Sequence, residues 1–195
     1  MTTPIRILAF AGSLRRDSWN KKLVRVAAQG ARDAGAEVSE LDLKELDLPL
    51  YDGDLERASG LPAGAQRFKQ LLRAHHGFLV ASPEYNSSIS GVLKNAIDWA
   101  TRAEPGEPAL AAFDGKVAGL LSASPGPFGG VRGLLTVRAI LSGIRVIVAP
   151  DQTLVPKAHE AFDAEGRLTD ARHAESAQRV GARVVDLARA LSAAR

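Results

Sequence analysis

The chain has 195 residues, of which 46% are hydrophobic and 24% charged, and its formal net charge is +3. This length supports one hydrophobic core of ordinary size, and the composition is that of a globular protein. The absence of cysteine excludes disulfides, thiolate nucleophiles, iron–sulfur clusters and zinc–thiolate sites. We expect a cytoplasmic protein with no membrane or nucleic-acid partner. No secretory signal pattern follows Met1, no apolar run approaches a membrane span, and basic residues are interleaved with acidic ones.

Short apolar runs alternate along the chain with longer segments of helical spacing. Strands are predicted at residues 5–11, 38–43, 77–82, 116–123 and 145–148. Helices are predicted at 23–34, 66–74, 90–99, 131–141 and 174–191. The stretch 44–63 is predicted to be irregular, and a polar excursion is predicted from about 150 to 170. The aspartates in and just before the first stretch are interpreted as loop and edge polarity: Asp42, Asp47, Asp52 and Asp54.

Five strands that alternate with five helices predict an α/β protein of the flavodoxin-like kind. In that fold a five-stranded parallel sheet with strand order 2-1-3-4-5 forms the middle layer of a three-layer sandwich. The sequence shows no internal repeat and no linker. We therefore predict a single domain over residues 1–195.

The loop after the first strand, residues 12–20 (GSLRRDSWN), has the composition of an anion-binding turn. Ligands of open parallel sheets bind at the carboxyl ends of the strands, and a turn that leads into a helix offers free N–H groups to a phosphate. The alternative for Ser18 is that it simply caps the N-terminus of the first helix, a role that can coexist with phosphate binding. The loop lacks GxGxxG and GxxxxGK[ST], so Rossmann and NTPase interpretations have little support. The candidate cofactor-binding residues are Ser13, Arg15, Ser18, Trp19 and Asn20.

Two further loops are predicted at the same edge of the sheet. Residues 83–91 (PEYNSSISG) follow the third strand, and residues 122–132 (SASPGPFGGVR) follow the fourth. Glycines in the latter allow the backbone to approach a flat ring closely, although an ordinary glycine-rich loop is the alternative. The candidate cofactor-binding residues of the two loops are Pro83, Glu84, Tyr85, Asn86, Ser87, Ser124, Gly126, Gly129 and Gly130. The histidines show no metal-ligand spacing, and no G-x-S-x-G elbow predicts a hydrolase.

The segments GSLRRDSWN, PEYNSSISGVLKNAIDW and SASPGPFGG resemble the NAD(P)H-dependent FMN reductase family, the flavodoxin-like group that includes bacterial quinone, azo-dye and chromate reductases. This resemblance covers about residues 5–148 and implies non-covalent FMN. It implies that the first loop holds the phosphate, and that residues 83–86 and 124–130 line the isoalloxazine and ribityl chain. It also implies a homodimer or homotetramer with the flavin near the subunit interface. Ser90 departs from the pattern, since many relatives carry proline there.

The resemblance implies an oxidoreductase that takes hydride from NADPH or NADH and passes two electrons to a small-molecule acceptor: a quinone, an azo compound, chromate or free flavin. The flavin carries such chemistry, so we assign no catalytic residue and no metal, and we expect ping-pong kinetics. One alternative is a flavodoxin-type electron carrier without NAD(P)H oxidase activity, although carriers are usually acidic and this chain is basic. Another is a flavin-free regulatory or interaction module.

Overall fold

A computed structural model of the protein describes residues 4–194. Residues 1–3 and 195 lie outside the described residues. The predicted absence of a signal pattern after Met1 and the two ends of the predicted domain fall on these residues. Five parallel strands form one sheet in the order β2-β1-β3-β4-β5. The strands are β1 (Arg6–Ala11), β2 (Glu37–Asp42), β3 (Gly77–Ala81), β4 (Val117–Ala123) and β5 (Ile147–Val155).

The α-helices of the described chain are α1 (Trp19–Asp33), α2 (Gly53–Ser59), α3 (Ala63–Ala74), α4 (Gly91–Ala100), α5 (Val131–Gly143) and α6 (Ala171–Ala193). A short 3₁₀ helix, Leu43–Leu46, follows β2. The predicted flavodoxin-like sandwich and its strand order are confirmed. None of the helices between residues 4 and 194 is both long and apolar enough to cross a membrane.

Each face of the sheet buries its own apolar cluster, which explains why the central strands are apolar at nearly every position. Leu8 and Phe10 of β1 face a cluster completed by α3, α4 and α5. Ile7 and the other alternate residues of β1 face a second cluster beneath α1 and α6. Helices α1 and α6 cross so closely that a Cβ added to Gly181 of α6 would lie 2.0 Å from the carbonyl oxygen of Ala27 in α1.

Part of the stretch predicted to be irregular is helical. Asp42 accepts a hydrogen bond from the backbone N–H of Lys44 at 3.0 Å and begins the 3₁₀ helix, so the predicted strand residue Leu43 lies in that helix. Asp52 accepts one from the N–H of Asp54 at 2.8 Å and caps α2. The interpretation of Asp42 and Asp52 as loop polarity is therefore wrong, because a short acidic side chain is also a strong helix N-cap.

β5 is longer than predicted and runs through Pro150 to Val155 instead of ending at residue 148. Proline is tolerated here because β5 is an edge strand, where a missing N–H leaves no neighbouring strand unpaired. Its pairing with β4 shifts register between Ala118 and Leu120. The guanidinium of Arg138 on α5 lies beside this irregular stretch and donates to the carbonyl of Ala149 at 3.0 Å.

Candidate functional site

A cleft of about 230 Å³ lies at the carboxyl ends of β1, β3 and β4, where the three predicted loops meet. Ligand pockets are typically about 300–1,000 Å³, so this cleft is a partial enclosure open at its rim. Its lining includes most of the predicted residues, and also Pro125, which lies within the range 124–130 that the family resemblance implies. The sequence interpretation missed Ala123 as a lining residue, and its adjacency to the predicted Ser124 is the signal that could have found it. The lining residues are Ser13, Arg15, Ser18, Trp19, Asn20, Pro83, Glu84, Tyr85, Ala123, Ser124 and Pro125.

The N-terminus of α1 lies in the wall of this cleft without an internal cap. Ser18 occupies the N-cap position in an extended conformation, yet its side chain accepts no capping hydrogen bond from any described residue. The first turn of the helix also contains no acidic residue. Ser18 therefore occupies the N-cap position that the alternative predicts, but without the side-chain hydrogen bond of a simple N-cap. The first backbone N–H groups of α1, together with the buried hydroxyls of Ser13 and Ser18, are available to an anion.

Arg15 supplies the positive charge of the same wall. Its guanidinium carbon lies 5.4 Å from the centroid of the Trp19 ring, within the range of a cation–π contact. Within residues 4–194, Arg15 forms no ion pair with a carboxylate, whereas the neighbouring Asp17 pairs with Lys22 at 2.7 Å. The hydrogen bond and charge of Lys22 hold the pKa of Asp17 below its ordinary value. Trp19 thus orients a cation whose donors are free to bind a phosphate.

Asn20 connects the first loop to the third. Its Nδ2 donates to the carbonyl of Ala123 at 2.9 Å, and its Oδ1 accepts from the N–H of Ala123 at 2.9 Å. The side chain is buried, and its acceptor oxygen is already used. A direct hydrogen bond from Asn20 to a phosphate stays a prediction. The contact seen in the structure fixes the start of α1 against the end of β4.

Ser90 makes a second connection of this kind. Its Oγ donates to the carbonyl of Gly12 at 2.6 Å and accepts from the N–H of Leu93 at 3.2 Å. The serine therefore caps α4 and holds the first loop against the start of that helix. A proline at this position would have no hydroxyl and could make neither contact.

Residues 85–88 form a tight turn at the rim. The backbones of Tyr85 and Ser88 exchange hydrogen bonds of 2.9 and 3.0 Å. Asn86 and Ser87 have φ values of 50° and 64°, the positive pair that a type I′ turn requires. Tyr85 is 49% exposed and lines the cleft, whereas Asn86 and Ser87 do not. The predicted contact of these two residues with a flavin stays a prediction, and their observed role is to form the turn.

The glycines of the third loop serve the protein's own packing. Gly129 and Gly130 have φ values of 59° and 86°, and a Cβ on Gly130 would lie 2.0 Å from the Oγ of Ser122. Neither residue lines the cleft, nor does Gly126. At Gly130, the close approach that the sequence suggests is therefore made to Ser122 of β4. A contact of the three glycines with the cofactor stays a prediction.

Glu84 faces the start of α5. Its carboxylate accepts from the backbone N–H of Gly133 at 3.0 Å and pairs with Arg132 at 2.8 Å, and its side chain is 9% exposed. Burial favours the neutral acid, but the hydrogen bonds from Gly133 and Arg132 outweigh it and hold the pKa of Glu84 below its ordinary value. Glu84 is thus an ionised side chain whose oxygens are occupied by α5.

Comparison with known proteins assigns the family. Residues 5–160 match the family model described as NADPH-dependent FMN reductase. The chain belongs to this family. It is 38% identical to an NAD(P)H-dependent FMN reductase of Pseudomonas aeruginosa over 179 residues, which cover 91% of this chain and 92% of that one. It is 36% identical to a quinone reductase of Escherichia coli K12 over 141 residues, 72% of this chain and 71% of that one. One similar solved structure is FerB, a flavoenzyme NAD(P)H:(acceptor) oxidoreductase from Paracoccus denitrificans. It superposes on this chain with a TM-score of 0.79 and is 30% identical in sequence, and the match covers 95% of this chain and 98% of that one.

The cleft fits the FMN that membership of this reductase family implies. Three helices follow β1, β3 and β4 into this cleft. Of these three, α4 is capped by Ser90 and α5 by Glu84, whereas α1 has no side-chain cap from any described residue. The open helix start adjoins two buried hydroxyls and Arg15, which is the donor set that a phosphate monoester needs. Apolar surface from the rings of Pro83, Tyr85 and Pro125 completes the lining.

A larger cavity, of about 500 Å³, lies between α1, α6 and residues 164–168. The charged groups on its walls are paired: Lys22 with Asp17 at 2.7 Å, Arg167 with Glu165 at 3.1 Å, and Arg25 with Glu40 outside the cavity at 3.4 Å. Residues 4–194 also contain no group of three or more potential ligands arranged to hold a metal ion. We therefore place the functional site in the smaller cleft, because that is where unpaired donors converge.

Proposed function

We propose that this protein is an NAD(P)H-dependent, FMN-containing oxidoreductase that reduces a small acceptor: a quinone, an azo compound, chromate or free flavin. The observation that carries the proposal is the uncapped N-terminus of α1 beside Arg15, in a cleft at the switch edge of a flavodoxin-like sheet. The names of the relatives, an FMN reductase and a quinone reductase, support both the cofactor and the kind of acceptor. Either NADPH or NADH is the electron donor.

The chain contributes binding and orientation. FMN, when bound, supplies the chemistry of accepting a hydride from NAD(P)H and releasing two electrons to the acceptor. Ser13, Ser18, the first N–H groups of α1 and the guanidinium of Arg15 would hold its phosphate. Pro83, Tyr85 and the segment 123–125 would line the rest of the cofactor. The proposal requires no side chain that acts as a general acid or base.

A spectroscopic and kinetic test separates the alternatives. We expect the purified protein to be yellow, to release FMN on denaturation, and to oxidise NADPH or NADH in the presence of a quinone at catalytic rates. Bound FMN without catalytic NAD(P)H oxidation would instead indicate an electron carrier. Failure to bind FMN would refute the proposed function.

The phosphate site is tested by Arg15→Ala. A charge-assisted hydrogen bond contributes about 1.5–3 kcal/mol, so we expect the dissociation constant of FMN to rise roughly 10- to 150-fold in a fluorescence titration. Arg25→Ala is the matched control, because Arg25 also belongs to α1 but pairs with Glu40 and is exposed. An unchanged affinity in Arg15→Ala would contradict the assignment of the phosphate site.

We also propose that the chain is a single domain over residues 1–195, that it forms a homodimer or homotetramer, and that it is located in the cytoplasm. The family resemblance supports the oligomer, and so do large apolar side chains at the surface such as Leu50, 83% exposed, and Phe128, 63% exposed. Light scattering coupled to size-exclusion chromatography tests the oligomeric state, and a monomer at micromolar concentration would contradict the proposal. Cell fractionation tests the location.

A further inference from the structure

The N-terminus of α5 is capped by a side chain from a different loop. The helix begins after Gly130, which has a left-handed conformation and no side chain with which to cap its own helix. The N–H of Gly133, in the first turn, instead donates to Glu84 at 3.0 Å. Glu84 lies 49 residues earlier in the chain, in the loop that follows β3. One carboxylate thus joins two of the three loops that form the cleft.

This contact holds the two loops at close range. A Cβ on Gly133 would lie 3.3 Å from the Cβ of Glu84 and 3.3 Å from the carbonyl oxygen of Ser88, so the helix start packs directly on the turn 85–88. The other carboxylate oxygen pairs with Arg132 at 2.8 Å, and the guanidinium of Arg132 lies 5.8 Å from the centroid of Phe128. The contact therefore extends into the segment 124–130.

The charge of Glu84 suits this position. A carboxylate at the N-terminus of a helix is stabilised by the helix dipole, and here Arg132 adds a second favourable interaction. Both oxygens are occupied and the side chain is nearly buried, which leaves the carboxylate little opportunity to contact a ligand directly. Glu84 lines the cleft, but because α5 engages both of its carboxylate oxygens, it acts on a ligand mainly through the loops that it joins.

We propose that Glu84 is a positioning residue of the cleft: by capping α5 from the loop after β3, it fixes Tyr85 and the segment 124–130 relative to each other and so sets the orientation and tightness with which the flavin ring is held. This inference rests on the proposed function, because it takes FMN as the ligand. It differs from the expectation drawn from the family resemblance, in which Glu84 is one of the residues that line the isoalloxazine and ribityl chain.

The experiment compares Glu84→Ala, which removes the cap, with Glu84→Gln, which keeps an acceptor for the N–H of Gly133 but removes the charge. A helix cap is worth a factor of roughly fivefold in an equilibrium constant. We therefore expect Glu84→Ala to weaken FMN binding about fivefold or more, to alter the visible circular dichroism of the bound flavin, and to raise the KM for the acceptor more than it lowers kcat. Glu84→Gln is expected to retain the wild-type spectrum and to bind FMN within about twofold of wild type.

Asp170→Ala is the matched control, because Asp170 caps α6 locally by accepting from the N–H of Arg172 at 2.8 Å and does not line the cleft. It should lower stability to urea while the affinity for FMN and the flavin spectrum stay unchanged. If Glu84→Ala does not fold, Glu84→Asp takes its place, since it is one methylene shorter and reaches Gly133 less well.

Two outcomes would overturn the proposed role of Glu84. Wild-type binding and spectra in Glu84→Ala would overturn the positioning role. Equal impairment of the Ala and Gln variants would overturn the capping mechanism, because the charge and not the cap would then be what matters. Neither result affects the proposed function, which is tested separately by FMN binding and NAD(P)H oxidation in the wild-type protein.

Discussion

Replacing Asn20 with alanine removes the connection between the first turn of α1 and the end of β4. In the wild-type protein the side-chain amide pairs with both backbone groups of Ala123, at 2.9 Å each. Alanine leaves these two groups without that partner. The position is buried at the floor of the cleft, so the two hydrogen bonds are made away from bulk water.

The expected loss follows from the two unpaired groups. Leaving one buried donor or acceptor unsatisfied costs about 1–3 kcal/mol, which gives about 2–6 kcal/mol for the pair. Water that enters through the open cleft can replace part of the lost bonding, and we therefore expect the free energy of unfolding to fall by about 2–4 kcal/mol. That is a large share of the roughly 5–15 kcal/mol that stabilises a typical domain.

Urea unfolding followed by far-ultraviolet circular dichroism measures this loss, without added FMN so that altered ligand binding does not enter the comparison. Gln29→Ala is the matched control: it also removes an amide from α1, but one that is exposed and bonded only to Asp33 in the described structure. The control should change stability by less than about 0.5 kcal/mol. A change of similar size in both variants would refute the role assigned to Asn20.

Three further predictions concern packing, capping and pH. Gly181→Ala should destabilise the fold by about 1–3 kcal/mol, because the new Cβ would meet a backbone carbonyl of α1. Gly143→Ala is the control and should be neutral, because no atom lies near its added Cβ. Equal effects of the two variants in urea titrations would contradict the close crossing of α1 and α6. Ser90→Pro should lower stability by about 1–3 kcal/mol, because the carbonyl of Gly12 loses its donor; an unchanged urea midpoint would disprove this. Burial holds the pKa of His75 below its ordinary value, so the unfolded chain takes up a proton first, and stability should fall as the pH drops below about 6.5. Urea midpoints at pH 7.5 and 5.5 test this, and a pH dependence that is identical in His75→Gln would count against it.

The arrangement of the strands follows from local pattern because the pattern reflects burial. β1, β3 and β4 are covered on both faces, and a continuous apolar run is what such strands require. The same reasoning underestimates β5. An edge strand has one unpaired side that tolerates Pro150, and the local sequence does not show which strand lies at the edge.

The meeting of the three loops is also predictable, because the carboxyl ends of parallel strands lie at the same edge of the sheet. The partners of individual side chains are not. Asn20 bonds to a residue 103 positions away, and Glu84 to one 49 positions away. Polar side chains that the sequence marks as ligand contacts are used by the protein itself, since only tertiary structure brings those backbone groups within reach.

The three helices at the cleft show how this internal use of polar groups can create specificity. Each helix start carries unpaired N–H groups and partial positive charge, so all three could attract an anion. Ser90 occupies the start of α4 and Glu84 that of α5, and both caps come from residues that also join the loops. An anion at this edge therefore finds free donors at α1, beside Arg15. A phosphate that can bind at only one helix start is held in one position. The rest of a cofactor anchored there would then lie along the cleft walls that Asn20 and Glu84 connect.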